Sequence, residues 1–253
     1  MKVTFLGTGT SQGVPVLGCG CRVCRSADPA DKRLRTSAMV ESGRTRLLID
    51  CGPDLRAQLM PLPFRRIGGV LLTHIHYDHV GGIDDLRPYC RLGGIDVFAN
   101  AATAAALRST VPYCFAEKLY PGVPKLHLHT IRPGEAFRVG DIDVEPVEVK
   151  HGAAPIMAYR FGPFAYVTDM KTITPGQEER LRGVDTIAVN ALRFERPHHS
   201  HMTVPEAVAF ARRVGARRVF FTHATHDIGL HAEANSRLPR GFEYARDGLE
   251  IEV

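Results

Sequence analysis

Residues 73–82 read THIHYDHVGG, and within positions 74 to 79 stand His74, His76, Asp78 and His79. Three imidazoles and a carboxylate in so short a segment admit two readings. One is a polar surface turn. The other is a metal site, because neutral imidazole and carboxylate are the usual ligands of zinc, manganese and iron. If the apolar run before them is a strand ending at Thr73, His74 and His76 project to one side while the chain stays extended. Asp78 and His79 then fall on the following turn, where Gly81 and Gly82 allow a tight bend. One metal can take His74 and His76, and a second can take Asp78 and His79. Four ligand types in HxHxDH after an apolar strand are a far more specific signal than a lone HxH.

Neither pair completes a coordination sphere, so further ligands must come from elsewhere. The other strands share one habit, an apolar β-branched run that ends abruptly in a polar residue. RLLID ends at Asp50, VLLTH at His74, VEVKH at His151, AYVTD at Asp169 and VFFTH at His223. Continuous apolar runs suit strands buried on both faces, and functional side chains at strand ends suit a site on a sheet rim. These runs supply His151, Asp169 and His223 as added ligands, with Asp169 the natural carboxylate to bridge two metals. Asp50 is assigned behind them, accepting a hydrogen bond from a ligand histidine and fixing its tautomer.

VLLTH (70–74) and VFFTH (219–223) look like one device used twice, which suggests two αβ halves facing each other. Helices are expected near 100–110, 175–183 and 204–214. The last carries Thr203 as cap, Pro205 and Glu206 in its first turn, and Arg212 and Arg213 in its last.

The 253 residues suffice for one large domain or two small ones, and 44% hydrophobic with 23% charged residues is ordinary for a globular chain. No apolar run reaches a membrane span, and the opening MKVTFLGTGT is too short an apolar run for a signal peptide. The expected location is the cytoplasm. The formal charge of +5 includes the pairs Arg65–Arg66, Arg212–Arg213 and Arg217–Arg218. That admits nucleic acid as a partner, although each pair alone reads as a solvated face and a small phosphate-bearing substrate is favoured. Six cysteines without an export signal argue against a disulfide framework. Cys51, Cys90 and Cys114 read as small buried residues. Cys19, Cys21 and Cys24 form C-x-C-x2-C, three thiolates for a structural zinc whose fourth ligand can be His226.

HIHYDH followed by His151, Asp169 and His223 resembles the metallo-β-lactamase superfamily, and the resemblance covers almost the whole chain. It implies one αββα four-layer sandwich, an α/β fold over residues 1–253, with two metals at one edge. His74, His76 and His151 would hold one metal, Asp78, His79 and His223 the other, and Asp169 would bridge them. The three-Cys loop, with a His three residues after the last active-site ligand, is similar to the phosphodiesterase family that accompanies carbon–phosphorus lyase. That family acts on 5-phosphoribosyl 1,2-cyclic phosphate and forms homodimers. It favours manganese in the active site, with zinc or iron as alternatives, and zinc in the Cys site. His201, in HHSHMTVPEA, lies 22 positions before His223 and matches a catalytic histidine of that family and of the tRNA 3′-processing endonucleases.

The implied mechanism is attack on phosphorus by a hydroxide bridging two metals, Asp78 orienting it and His201, with a near-neutral pKa, protonating the leaving oxygen. His198 and His199 read as substrate-edge or solvated residues, and His127 and His129 as exposed strand histidines. GTGTSQG after the first strand reads as a tight turn that can offer backbone N–H groups to phosphate. The rival functions are a tRNA 3′-processing endonuclease, a thioesterase or lactonase, and a non-hydrolytic quinone-cofactor biosynthesis protein. The first usually carries a Gly/Pro-rich arm not evident here, and the last lacks the full HxHxDH.

Overall fold

Alternation along each strand sets the layers of the molecule. The computed structural model describes residues 1–116 and 118–253. The first sheet contains β1 (Lys2–Gly7), β2 (Ser37–Ser42), β3 (Thr45–Ile49), β4 (Gly69–Leu71), β5 (Ile95–Ala99) and β6 (Leu126–Thr130). The second contains β7 (Phe137–Val139), β8 (Ile142–His151), β9 (Ala154–Phe161), β10 (Phe164–Val167), β11 (Thr186–Asn190), β12 (Arg218–Thr222) and β13 (Phe242–Tyr244). The last strand, β14 (Glu250–Glu252), returns to pair with β1, so each sheet has seven strands.

Leu47, Ile49 and Leu71 point into the space between the sheets, where they meet Tyr159, Phe164, Tyr166, Ala188 and Phe220. Their neighbours Leu48, Val70 and Leu72 point outward and pack with Leu55, Leu86 and Leu107 of the helical segments Leu55–Leu59, Ile83–Leu92 and Ala101–Thr110. On the second sheet Ile187, Val189, Val219 and Phe221 face Phe210 and Val214 of the helix Val204–Val214. Side chains that alternate with period two thus build one inner and two outer cores, the expected αββα sandwich. The related runs VLLTH and VFFTH do lie in opposite sheets.

The helix Val204–Val214 begins as expected, with the Glu206 carboxylate accepting the Thr203 N–H at 2.7 Å, and ends at Gly215 in the left-handed region. The expected helix over 175–183 is shorter, Pro175–Glu179, and continues as turns. Cys51 and Cys114 are buried, whereas Cys90 is half-buried, and its Sγ accepts the Lys125 N–H at 3.2 Å.

β3 through β6 run parallel, as do β10 through β13. The carboxyl ends of both parallel sets therefore gather at one rim. Two hydrogen bonds pin the sheets together there: Tyr159 Oη donates to Leu72 O at 2.6 Å, and Met157 N–H to Thr73 O at 2.9 Å.

Candidate metal centres

Every strand-end residue singled out in the sequence comes to that rim. Asp50 follows β3, His74 lies three residues beyond β4, His151 ends β8, Asp169 lies two beyond β10 and His223 follows β12. Asp50, Asp169 and His223 all adopt the left-handed region, with φ of 59°, 56° and 56°. For residues with a Cβ this costs on the order of 1–3 kcal/mol each, and such strain clusters at functional sites.

Tyr77–Val80 forms a single helical turn. Gly81 and Gly82 have negative φ, so the expected bend is not their role. Gly82 instead gives room: a Cβ there would sit 2.1 Å from Gly52 O, and one on Gly52 would sit 2.0 Å from Asp78 O. This close approach lets Cys51 N–H reach His79 O at 2.7 Å and brings Asp50 beneath the ligand turn.

The donor atoms fall into overlapping sets, each within 4.8 Å. They are His74, His76 and His151; His74, His79 and Asp169; Asp78, His79 and His223; and His151, Asp169 and His201. Tautomers decide what these sets can hold. Nδ1 of His79 lies 2.6 Å from Asp50 Oδ2, and both residues are fully buried. Asp50 also accepts from Thr73 N–H and Oγ1 at 2.8 Å, so it is an acceptor and Nδ1 of His79 carries the proton. The lone pair on His79 Nε2 then faces Asp78 at 3.2 Å and Asp169 at 3.3 Å, with no hydrogen-bond partner. Nδ1 of His151 likewise faces the carbonyls of Asp169 at 2.9 Å and Ser200 at 3.1 Å, leaving its Nε2 as the free ligand atom. His223 Nε2 lies 3.0 Å from Asp169 and 3.6 Å from Asp78, also without a hydrogen bond.

Lone pairs and carboxylates pointed at one another repel unless a cation stands among them. With no metal bound, protons on the histidines take the place of that cation. Burial alone would raise Asp169 and Asp78, yet the neighbouring His223 and His79 hold both carboxyls far below their usual range. Burial would lower His79, yet Asp169 and Asp50 hold it well above its usual value. The cluster draws positive charge to its centre, and the residues fit divalent metals.

His201 reaches the same place. Its Nε2 lies 2.9 Å from Asp169 Oδ1, its ring stacks on His223, and its Nδ1 lies 3.1 Å from Ser200 Oγ and from His198 Nδ1. Burial holds its pKa down to about 4, against the expected near-neutral value, the Asp169 hydrogen bond offsetting only part of that. His198 is half-buried and bonded within this cluster, while His199 is exposed. His127 and His129 are exposed on β6 as expected, His129 Nε2 lying 2.7 Å from Asp96.

A second donor set sits beside the first. The Sγ atoms of Cys19, Cys21 and Cys24 lie 3.4, 3.6 and 3.2 Å from Nδ1 of His226. Zinc–sulfur bonds of about 2.3 Å and a zinc–nitrogen bond of about 2.0 Å at tetrahedral angles require an N–S edge of about 3.5 Å. The set fits a Cys3His zinc site. Val16 N–H and Cys24 N–H point at the sulfurs of Cys24 and Cys21 at 3.4 Å, a charge-favouring arrangement for thiolates.

The GTGTSQG loop does not serve phosphate at Gly9, Thr10 or Gly13. Their N–H groups go to Leu34 O, Ala224 O and Thr10 O. Sequence reasoning missed Ser200, Thr73 and Asn190. Asn190 closes on both sides of Met170, Oδ1 accepting its N–H at 2.8 Å and Nδ2 donating to its carbonyl at 3.0 Å, which holds the Asp169 turn. TIAVN shows the same apolar run ending in a polar residue, a signal that could have found it.

Two facing mixed sheets with histidines and aspartates converging on one rim are the arrangement of the metallo-β-lactamase fold, with donor sets that fit divalent metals. The chain belongs to the β-lactamase superfamily, the profile described as a beta-lactamase superfamily domain matching residues 45–224, and within it to the PhnP family. A crystal structure of a new diphosphatase from the PhnP family is 38% identical, with a TM-score of 0.91 over 99% of this chain and 96% of that one. An octanoyltransferase of Porphyromonas gingivalis is 40% identical over 99% of this chain and 51% of its own length. A ribonuclease Z of Acaryochloris marina is 31% identical over 63% of this chain and 47% of its own. The chain thus spans about half the length of these curated relatives. No helix among the described residues is long and apolar enough to cross a membrane.

Proposed function

We propose that the chain hydrolyses a small phosphodiester, cyclic phosphodiesters included, as a dinuclear metal enzyme. His74, His76 and His151 would hold one divalent metal, Asp78, His79 and His223 the other, with Asp169 between them. Zinc, manganese and iron all suit this donor set, and a zinc would occupy Cys19, Cys21, Cys24 and His226. Bound metals would supply an activated water and polarise the phosphoryl oxygens. Asp50 keeps the proton on His79 Nδ1, and the Asp169 and Ser200 carbonyls keep it on His151 Nδ1, so that both rings present Nε2.

The observation that supports a phosphodiesterase over a thioesterase or lactonase is His201, whose Nε2 stands 2.9 Å from Asp169 Oδ1 among the ligand atoms. A proton held at Nε2 by that carboxylate can pass to a departing alkoxide. An anionic phosphate bound beside the ring opposes the burial that lowers its pKa and favours the charged form.

A second reading is hydrolysis of a diphosphate linkage, favoured by the diphosphatase similarity. Turnover of cyclic phosphoribose, 2′,3′-cyclic nucleotides, bis(p-nitrophenyl) phosphate, a nucleoside diphosphate ester, precursor tRNA, a thioester and a lactone separates the readings. Turnover confined to the thioester or lactone would refute the proposal. A homodimer is also proposed from the family resemblance, and a monomeric mass by light scattering at micromolar concentration would refute that.

A further inference from the structure

The Cys/His cluster and the active site share a stretch of chain. His223 and His226 are separated by only two residues, Ala224 and Thr225. Ala224 is fully buried, and both its backbone groups bond to the N-terminal loop: its N–H donates to Thr8 O at 3.0 Å, and its carbonyl accepts Thr10 N–H at 3.1 Å. The same loop then pairs Val14 with Arg33 through two 2.8 Å bonds and reaches the three cysteines that surround His226. One loop therefore holds the chain just after His223 at two points, residues 224 and 226.

His223 has unusual need of such a clamp. His74, His79 and His151 each place Nδ1 against an oxygen: Thr73 Oγ1 at 3.0 Å, Asp50 Oδ2 at 2.6 Å, and the Asp169 and Ser200 carbonyls. His223 is buried, and among the described residues its Nδ1 has no hydrogen-bond partner. Apart from Nε2, which faces Asp169 and Asp78, its ring is held by stacking, on His201 at 4.7 Å and His79 at 5.9 Å. Its backbone adopts the left-handed region at φ 56°. The direction of this ligand is therefore set by its backbone, with β12 on one side and the clamped segment on the other.

We infer that the Cys19–Cys21–Cys24–His226 site is a positioning device for His223, doing through the backbone what Asp50 does for His79 through a hydrogen bond. It rests on the ligand assignment proposed above. Losing the cluster should weaken the metal held by Asp78, His79 and His223 and spare the one held by His74, His76 and His151. A misdirected or unoriented ligand typically costs about 10–100-fold in metal affinity.

The test is zinc retention by the full-length protein against a graded colorimetric chelator. The parent should hold two zincs besides the one in the Cys/His cluster. Cys21→Ser, at the exposed corner of the cluster, should release one of those two at least about tenfold more readily and the other within about twofold of the parent. His226→Asn provides a second variant should Cys21→Ser fail to fold. In a His223→Ala background, Cys21→Ser should add no further weakening to the remaining active-site zinc. Unchanged retention of both active-site zincs in the cluster variants overturns the inference and leaves the ligand assignment standing. Equal weakening of both overturns it too, since that is general loosening. A parent that holds fewer than two zincs outside the cluster removes the ligand assignment and the inference with it.

Discussion

Asp50 Oδ2 lies 2.6 Å from His79 Nδ1 with both side chains fully buried, so a carboxylate with no route to solvent fixes the tautomer of a histidine whose other nitrogen faces Asp78 and Asp169. Replacing the carboxylate by the amide in Asp50→Asn keeps the shape and removes the charge. The metal at His79 should then bind about 10–100-fold more weakly, with the Thr73 contacts largely preserved. Metal competition against a chelator measures this. Unchanged affinity would dissociate the Asp50 hydrogen bond from metal binding.

The Cys/His cluster closes a loop onto a small apolar patch of Val14, Val16, Val23 and Leu230. Such a patch contributes little without the metal. Cys21→Ser should lose one zinc per chain by elemental analysis and lower the melting temperature by roughly 5–15 °C, the scale expected for a few kcal/mol in a chain of this size. Full zinc content with an unchanged melting temperature would remove zinc from this site.

His201 separates phosphodiester cleavage from other chemistries of the fold. His201→Ala should lower kcat by roughly 10²–10⁴-fold on a substrate with a poor alkoxide leaving group. On a p-nitrophenyl ester the loss should be much smaller, because that group leaves as a stable anion. Equal losses on both substrates would assign His201 to phosphate binding or positioning. No loss on either would take it out of the mechanism.

Asp247 carries a pH dependence away from the metals. Burial pushes its carboxyl up to about 6, although Thr8 Oγ1 and Leu34 N–H donate to it and the buried Arg33 lies near. The folded chain therefore keeps a proton that the unfolded chain releases near pH 4. Its contribution favours the fold at low pH and is lost as pH rises from about 4 to about 6, with a magnitude on the order of 1–3 kcal/mol. In Asp247→Asn this term disappears. The stability difference between variant and parent should move in the variant's favour from pH 4.5 to 7, as read by denaturant titration at each pH. A pH-independent difference would show that Asp247 ionises normally.

The candidate ligands that gather at the rim were legible because they are local patterns. HIHYDH follows an apolar strand, and Asp50, His151, Asp169 and His223 each interrupt an apolar run where a buried strand reaches the rim. The layer order was legible for the same reason, since strands buried on both faces read as continuous apolar runs in any context. C-x-C-x2-C is equally local. What the tertiary structure alone decided are relations between residues far apart in the chain. Ser200 looks like any loop serine until its carbonyl meets His151, 49 residues away. The loop before Gln12 looks like a phosphate loop until the N–H groups of Gly9 and Thr10 are found bonded to Leu34 O and Ala224 O. His201 looks like an ordinary imidazole until burial depresses its pKa, the Asp169 hydrogen bond opposing only part of that. Arg33 looks like a surface charge until Thr8 Oγ1 and the Ala245 carbonyl, 212 residues away, accept its guanidinium protons. Hydrogen-bond partners, close backbone approaches and pKa values depend on what lies across space, whereas ligand chemistry and strand burial are written along the chain.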